Sequence, residues 1–173
     1  MSHSSQLKVI YFVICGASSA TFAPDILDGL VQLNRPIYTL MTDGAHNLIS
    51  PYRLADQQGH KLIDSYFDPA LVAGREPGVT LVAPATFNSV NKIAQGIADT
   101  LAYSLVAEVV GAKWPVIIAP SLNQALADHP RFTKSIGILR NWGVIILEPS
   151  REGDLLIMAS IDRIIERVKA NLG

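Results

Sequence analysis

The chain has 173 residues, the size of one ordinary domain with room for a real core. Hydrophobic residues make up 49% and charged residues only 17%, which excludes disorder over most of the chain and predicts subunit interfaces that cover apolar surface. A net charge of -1 with no basic tract excludes nucleic-acid binding driven by phosphate neutralisation, and the single cysteine, Cys15, excludes an internal disulfide and a cysteine-rich metal cluster.

Residues 7–15 (LKVIYFVIC) are the first predicted strand, an apolar run without polar alternation. A short loop, GASSA at 16–20, leads to a helix over 24–33 with Pro24 in its first turn. The second strand covers 37–41 and runs into Thr42-Asp43-Gly44-Ala45-His46. Residues 51–78 are polar and irregular, an active-site loop or a surface excursion. A third strand covers 79–83, followed by Pro84-Ala85-Thr86-Phe87-Asn88-Ser89. An amphipathic helical stretch follows over 90–110, with a break or close contact at Gly96. The fourth strand is 116–119, and Pro120-Ser121-Leu122-Asn123 comes after it. A helix over 130–142 ending near Gly143, a strand at 144–147, a short loop at 150–154 and a terminal helix over 161–172 complete the chain. Strands alternating with helices predict one domain, 1–173, with a three-layer α/β fold: a parallel sheet with helices on both faces. No apolar run reaches the ~20 residues of a membrane span. The start, MSHSSQLK, lacks a signal peptide's apolar core. The expectation is a cytoplasmic protein with neither membrane nor nucleic acid as partner.

Ligands of open parallel sheets bind outside the carboxyl ends of the strands. The four loops there are small and rich in hydroxyls or amides, and each leads toward a helix. One such loop alone reads as a helix cap. Four at one edge read as an anion site of backbone N–H groups and hydroxyls. The loop 16–20 lacks the second and third glycines of a dinucleotide fingerprint, and no phosphate loop of the G-K-[ST] type occurs. A mononucleotide such as FMN, needing one phosphate cradle, fits better.

The stretch APATFNSVNKIAQGIADTL at 83–101 resembles the PASANT segment of the homo-oligomeric flavin-containing cysteine decarboxylases, which include phosphopantothenoylcysteine and peptidyl-cysteine decarboxylases. Pro84, Ala85, Asn88, Lys92, Ile93, Ala94, Gly96, Asp99 and Leu101 match its pattern, and 120–123 resembles its P-x-M-N motif. The resemblance covers nearly the whole chain. It implies a flavodoxin-like, Rossmann-like fold, FMN at a subunit interface, and homotrimers or homododecamers. It places Gly16, Ser18, Ser19, Thr42, Thr86, Phe87, Ser89 and Asp99 with the cofactor, Asn88 and Asn123 as catalytic residues, and Asn123 with Leu122 on the substrate.

Three departures matter. The family's base is a histidine about fourteen residues before the motif proline; here Ala70 stands there, and none of His3, His46, His60 or His129 aligns with it. His46, after the second strand, is the best substitute, with Asp68 as a second candidate. Leu122 and Leu126-Ala127 stand where relatives have Met and Met-Trp, which opens space. The loop 150–154 is short and holds no cysteine to protonate an enethiol. These features favour FMN-dependent oxidative decarboxylation of a peptide's C-terminal cysteine to an aminoenethiol. A small-molecule cysteine-conjugate decarboxylase and a non-decarboxylating flavin-binding relative are the alternatives.

Overall fold

The computed structural model describes residues 7–72 and 74–173, so His3 lies outside the described residues. In chain order come β1 (Val9–Ile14), a 3-10 turn (Ser18–Phe22), α1 (Ala23–Val31), β2 (Ile37–Met41), α2 (Asp43–His46), α3 (Pro51–Ala55), β3 (Lys61–Leu62) and α4 (Pro69–Val72). Then follow β4 (Gly78–Ala85), α5 (Phe87–Ala94), α6 (Leu101–Gly111), β5 (Val116–Pro120), β6 (Leu122–Asn123) and α7 (Gln124–Ala127). The chain closes with α8 (Pro130–Asn141), β7 (Ile145–Ile146), β8 (Ser150–Glu152), β9 (Leu155–Ile157) and α9 (Ile161–Leu172).

Six strands form one parallel sheet in the order β3-β2-β1-β4-β5-β7. All six residues of β1 are buried, as a strand covered on both faces requires. Its side chains alternate between two cores. Val9, Tyr11 and Val13 pack with Val90 of α5, Leu105 and Val109 of α6, and Leu139 of α8. Ile10, Phe12 and Ile14 pack with Ile26 and Leu30 of α1 and Ile164 and Val168 of α9. The period-2 side-chain alternation of a strand thus divides one apolar run between two helical layers. The result is a three-layer, Rossmann-like fold. The connection after β1 runs to β2 and the one after β4 runs the opposite way to β5, so a crevice opens between the carboxyl ends of β1 and β4.

The structure corrects the predicted elements in three places. The single helix expected over 90–110 is two, α5 and α6. Gly96 at φ +68° ends the first, with Ile97 N–H donating back to Lys92 O at 3.0 Å. Thr100 caps the second by accepting from Tyr103 N–H at 3.3 Å. The excursion at 51–78 holds α3, α4 and the edge strand β3, whose two residues are too few for a periodic signal. The stretch 150–154, expected as a loop, is strand β8 and the turn of a hairpin: β8 and β9 pair antiparallel and β6 joins them in a second sheet, with Gly153 at φ +58° in the turn.

Candidate functional site

A cleft of about 780 Å³ opens at the carboxyl ends of β1, β2, β4 and β5. Its floor depends on two glycines. A Cβ on Gly16 would stand 2.5 Å from the carbonyl carbon of Gly44, so the loops after β1 and β2 meet backbone to backbone. Ser18 and Ser19 open the 3-10 turn, and Ser19 Oγ lies 2.8 Å from Ser121 Oγ, tying the loop after β1 to the end of β5. Thr86 caps α5 by accepting from Ser89 N–H at 3.0 Å. The N–H groups of Phe87 and Asn88, ahead of that cap bond, have no carbonyl one turn earlier and remain donors.

The cleft has two chemically different ends. Gly16, Ser18, Ser19, Thr42, Asp43, Thr86, Asn88 and Ser89 make a polar end; Leu122, Leu126, Leu155, Leu156 and Ile157 make an aliphatic one. Asn123 follows Leu122 on β6 and also lines the cleft. Its Oδ1 accepts from Leu126 N–H at 2.9 Å as the cap of α7, so the group it has left to offer is its amide N–H2.

Of the residues expected at the site, Gly16, Ser18, Ser19, Thr42, Thr86, Phe87, Asn88, Ser89, Leu122 and Asn123 all line this cleft. Phe87 also packs inside its own chain, edge-on to His129 at 5.4 Å and stacked near Phe132 at 6.3 Å. Asp99 and His46 do not line it. Asp99 is half exposed and binds Lys92 Nζ at 2.6 Å, so it reaches the cleft only through that lysine. His46 is exposed at the end of α2. The wall stops at Gly44, and the helical rise of 1.5 Å per residue carries His46 about 4.5 Å beyond Asp43 along the axis. His60 and His129 are engaged elsewhere: the first between Thr39 and Leu54 O at 2.8 Å each, the second capping α8 through Arg131 N–H. Asp68 binds Lys61 Nζ at 2.7 Å and accepts from Ala70 N–H at 2.9 Å. Those contacts hold its carboxyl below the usual range, which makes it a weaker base.

Lys92, Thr100, Tyr103, Ser121 and the residues 155–157 complete the wall. Lys92 had a signal in the sequence, since it falls one turn after Asn88 on the same face of α5. Residues 155–157 had none, because only tertiary pairing folds the hairpin over the cleft. Cys15 is fully buried beneath it, and burial pushes its thiol up to about 11.

A family model described as Flavoprotein matches residues 1–173. The chain is 30% identical over 167 residues to the coenzyme A biosynthesis bifunctional protein CoaBC of Thermococcus kodakarensis, a match covering 93% of this chain and 41% of that protein. It spans 36% of the corresponding Bacillus subtilis protein, so it accounts for less than half the length of these bifunctional relatives. Its match to a probable phosphopantothenoylcysteine decarboxylase of Streptococcus mutans is 25% identical and covers 95% of this chain and 99% of that one. Among solved structures, the FMN-dependent cysteine decarboxylase SpaF superposes with a TM-score of 0.76 at 26% identity, covering 97% of this chain and 98% of the other.

Proposed function

Since this chain belongs to the Flavoprotein family, we propose that it binds FMN in the cleft at the strand ends and there oxidatively decarboxylates the C-terminal cysteine of a peptide. The residues present fit the cofactor. A side chain at Gly16 would fill the floor, and the hydroxyls and free helix N–H groups of the polar end suit a phosphate monoester. Gly16, Ser18, Ser19 and Thr42 would hold it, with Thr86 and Ser89 shaping the start of α5 beside it and Phe87 at the edge.

FMN supplies a two-electron acceptor when bound. A cysteine carboxylate has no sink for the electrons left by departing CO₂; oxidising its Cβ–S bond to a thioaldehyde creates one, and an aminoenethiol results. Asn123 donates its amide N–H to the substrate carboxylate and, with Asn88, orients the Cβ–S bond. Leu122, Leu126 and Leu156 keep water from the reacting end. The half-exposed Leu155 leaves that end open to a chain of residues preceding the cysteine.

The observation that carries the oxidative reading is Cys15. It is the only cysteine and it is fully buried, so no thiol lines the cleft to protonate an enethiol while a reduced flavin returns its hydride. A small cysteine conjugate is a second reading, favoured by the end-to-end match to the Streptococcus mutans protein. Protein reconstituted with FMN is to be incubated in air with a peptide ending in cysteine and, separately, with phosphopantothenoylcysteine. A peptide mass loss of about 46 Da, CO₂ plus two hydrogens, is the expected product of the oxidative chemistry. Turnover of the conjugate alone moves the assignment to the second reading, and turnover of neither defeats both. The low charged fraction and the exposed Tyr52 and Phe67 support assembly as a homotrimer or homododecamer.

A further inference from the structure

Three hydroxyls form a chain behind the cleft. Ser89 is 1% exposed, and its Oγ lies 2.8 Å from Thr86 Oγ1 on one side and 2.7 Å from the Tyr103 hydroxyl on the other. Thr86 and Tyr103, the two ends of the chain, line the cleft. Each hydroxyl carries one hydrogen, so the chain has two complete arrangements. In one, Tyr103 donates to Ser89, Ser89 donates to Thr86, and the Thr86 hydrogen is free for the cleft. In the other, every donor reverses and the Tyr103 hydrogen is free. The heavy atoms need not move between them.

Resting on the reading of the cleft given above, we propose that Tyr103, Ser89 and Thr86 are a proton relay, in which Tyr103 takes the proton lost by the substrate thiol. Tyr103 oxygen gains that proton as its own hydrogen passes to Ser89, the Ser89 hydrogen passes to Thr86, and the Thr86 hydrogen leaves to water at the open cleft. One proton enters and one leaves, and no electrons move within the relay.

The surroundings suit this role. Tyr103 is fixed by its place in the Thr100 cap, and Lys92 Nζ stands 5.2 Å over its ring while bound to Asp99. Cys15, Asp99 and Asp43 are the acidic groups around it. Burial above all, and then Cys15, push its hydroxyl up to about 12, so the hydrogen the relay needs stays in place at neutral pH. No described histidine of the chain lines the cleft, and Ala70 brings only a methyl group to the position after Pro69, whereas the Tyr103 hydroxyl is in the wall.

The relay is tested with Tyr103→Phe and Ser89→Ala. In apoprotein, the ultraviolet resonance Raman doublet of Tyr103, isolated as wild type minus Tyr103→Phe, is expected to shift in Ser89→Ala because its hydrogen-bond partner is gone. An unchanged doublet overturns the chain. In FMN-loaded protein, Tyr103→Phe is expected to slow anaerobic flavin bleaching by the cysteine peptide about a hundredfold. KM should stay within about threefold, and the solvent deuterium effect of the wild type should change. Bleaching at the wild-type rate, with the same deuterium effect and pH profile, overturns the relay. If the wild type itself is not bleached, the functional reading fails and the relay with it; that failure is recognised in the wild type alone.

Discussion

At the scale of single residues, contact geometry decides which positions tolerate change. Gly16 has no space for a methyl group, because Gly44 backbone atoms lie within 2.8 Å of where its Cβ would be. Gly16→Ala should lose about 1–3 kcal/mol of stability and weaken FMN binding, both measurable by urea unfolding and by flavin fluorescence titration. Cys15 carries a pH dependence with a definite sign. Its thiol is raised in the folded protein from 9.0 to about 11. Below pH 9 both states hold the proton; above it the unfolded chain releases the proton first, so stability falls as pH rises toward 11. Tyr103 and Tyr11, both raised to about 12, add the same sign above pH 10. The urea midpoint should therefore drop between pH 9 and 11, and the drop should be smaller in Cys15→Ala. The residues the sequence assigned to the site divide on the same local grounds. Those in the first turn after a strand line the cleft, since a strand end leaves little freedom of position. His46, at the end of α2, and Asp99, beyond α5, depend on where a helix axis points, which local sequence does not fix.

At the scale of elements, hydrophobic period marks the long elements but not a break inside one, as the split of 90–110 into α5 and α6 shows. The terminal helix expected over 161–172 is α9, and its buried Ile164, Val168 and Leu172 sit at helical spacing. The strands of the sheet's centre were legible for the same reason. β3, β8 and β9 have two or three residues each, and partners far away in sequence make them strands. Helix α8 offers a direct test of local propensity. Gly137 is exposed in its interior and a Cβ there meets nothing within 4 Å. Gly137→Ala should stabilise the protein by about 0.5–1 kcal/mol, read as a raised urea midpoint with flavin affinity unchanged. A loss of stability there would mean that α8 is held in a geometry that Ala does not share.

At the scale of the whole molecule, the strand order explains why the four small-residue loops act together. The connection after β1 runs to β2 and the one after β4 runs the opposite way to β5, so the loops after β1 and β4 border the gap. The parallel α/β class and the functional edge could be read from alternating apolar runs and the residues that follow them. The aliphatic end of the cleft could not, because Leu155 and Leu156 reach it through β9 pairing with β6 across the fold. Among the described residues no helix is long and apolar enough to cross a membrane. The most direct measurement is the visible spectrum of purified, FMN-reconstituted protein, recorded without oxygen before and after adding a peptide that ends in cysteine. A yellow protein with one flavin per chain, bleached by the peptide, is the expected result. Protein that takes up no FMN would contradict the cofactor site, and a yellow protein that the peptide leaves unbleached would contradict the peptidyl-cysteine chemistry.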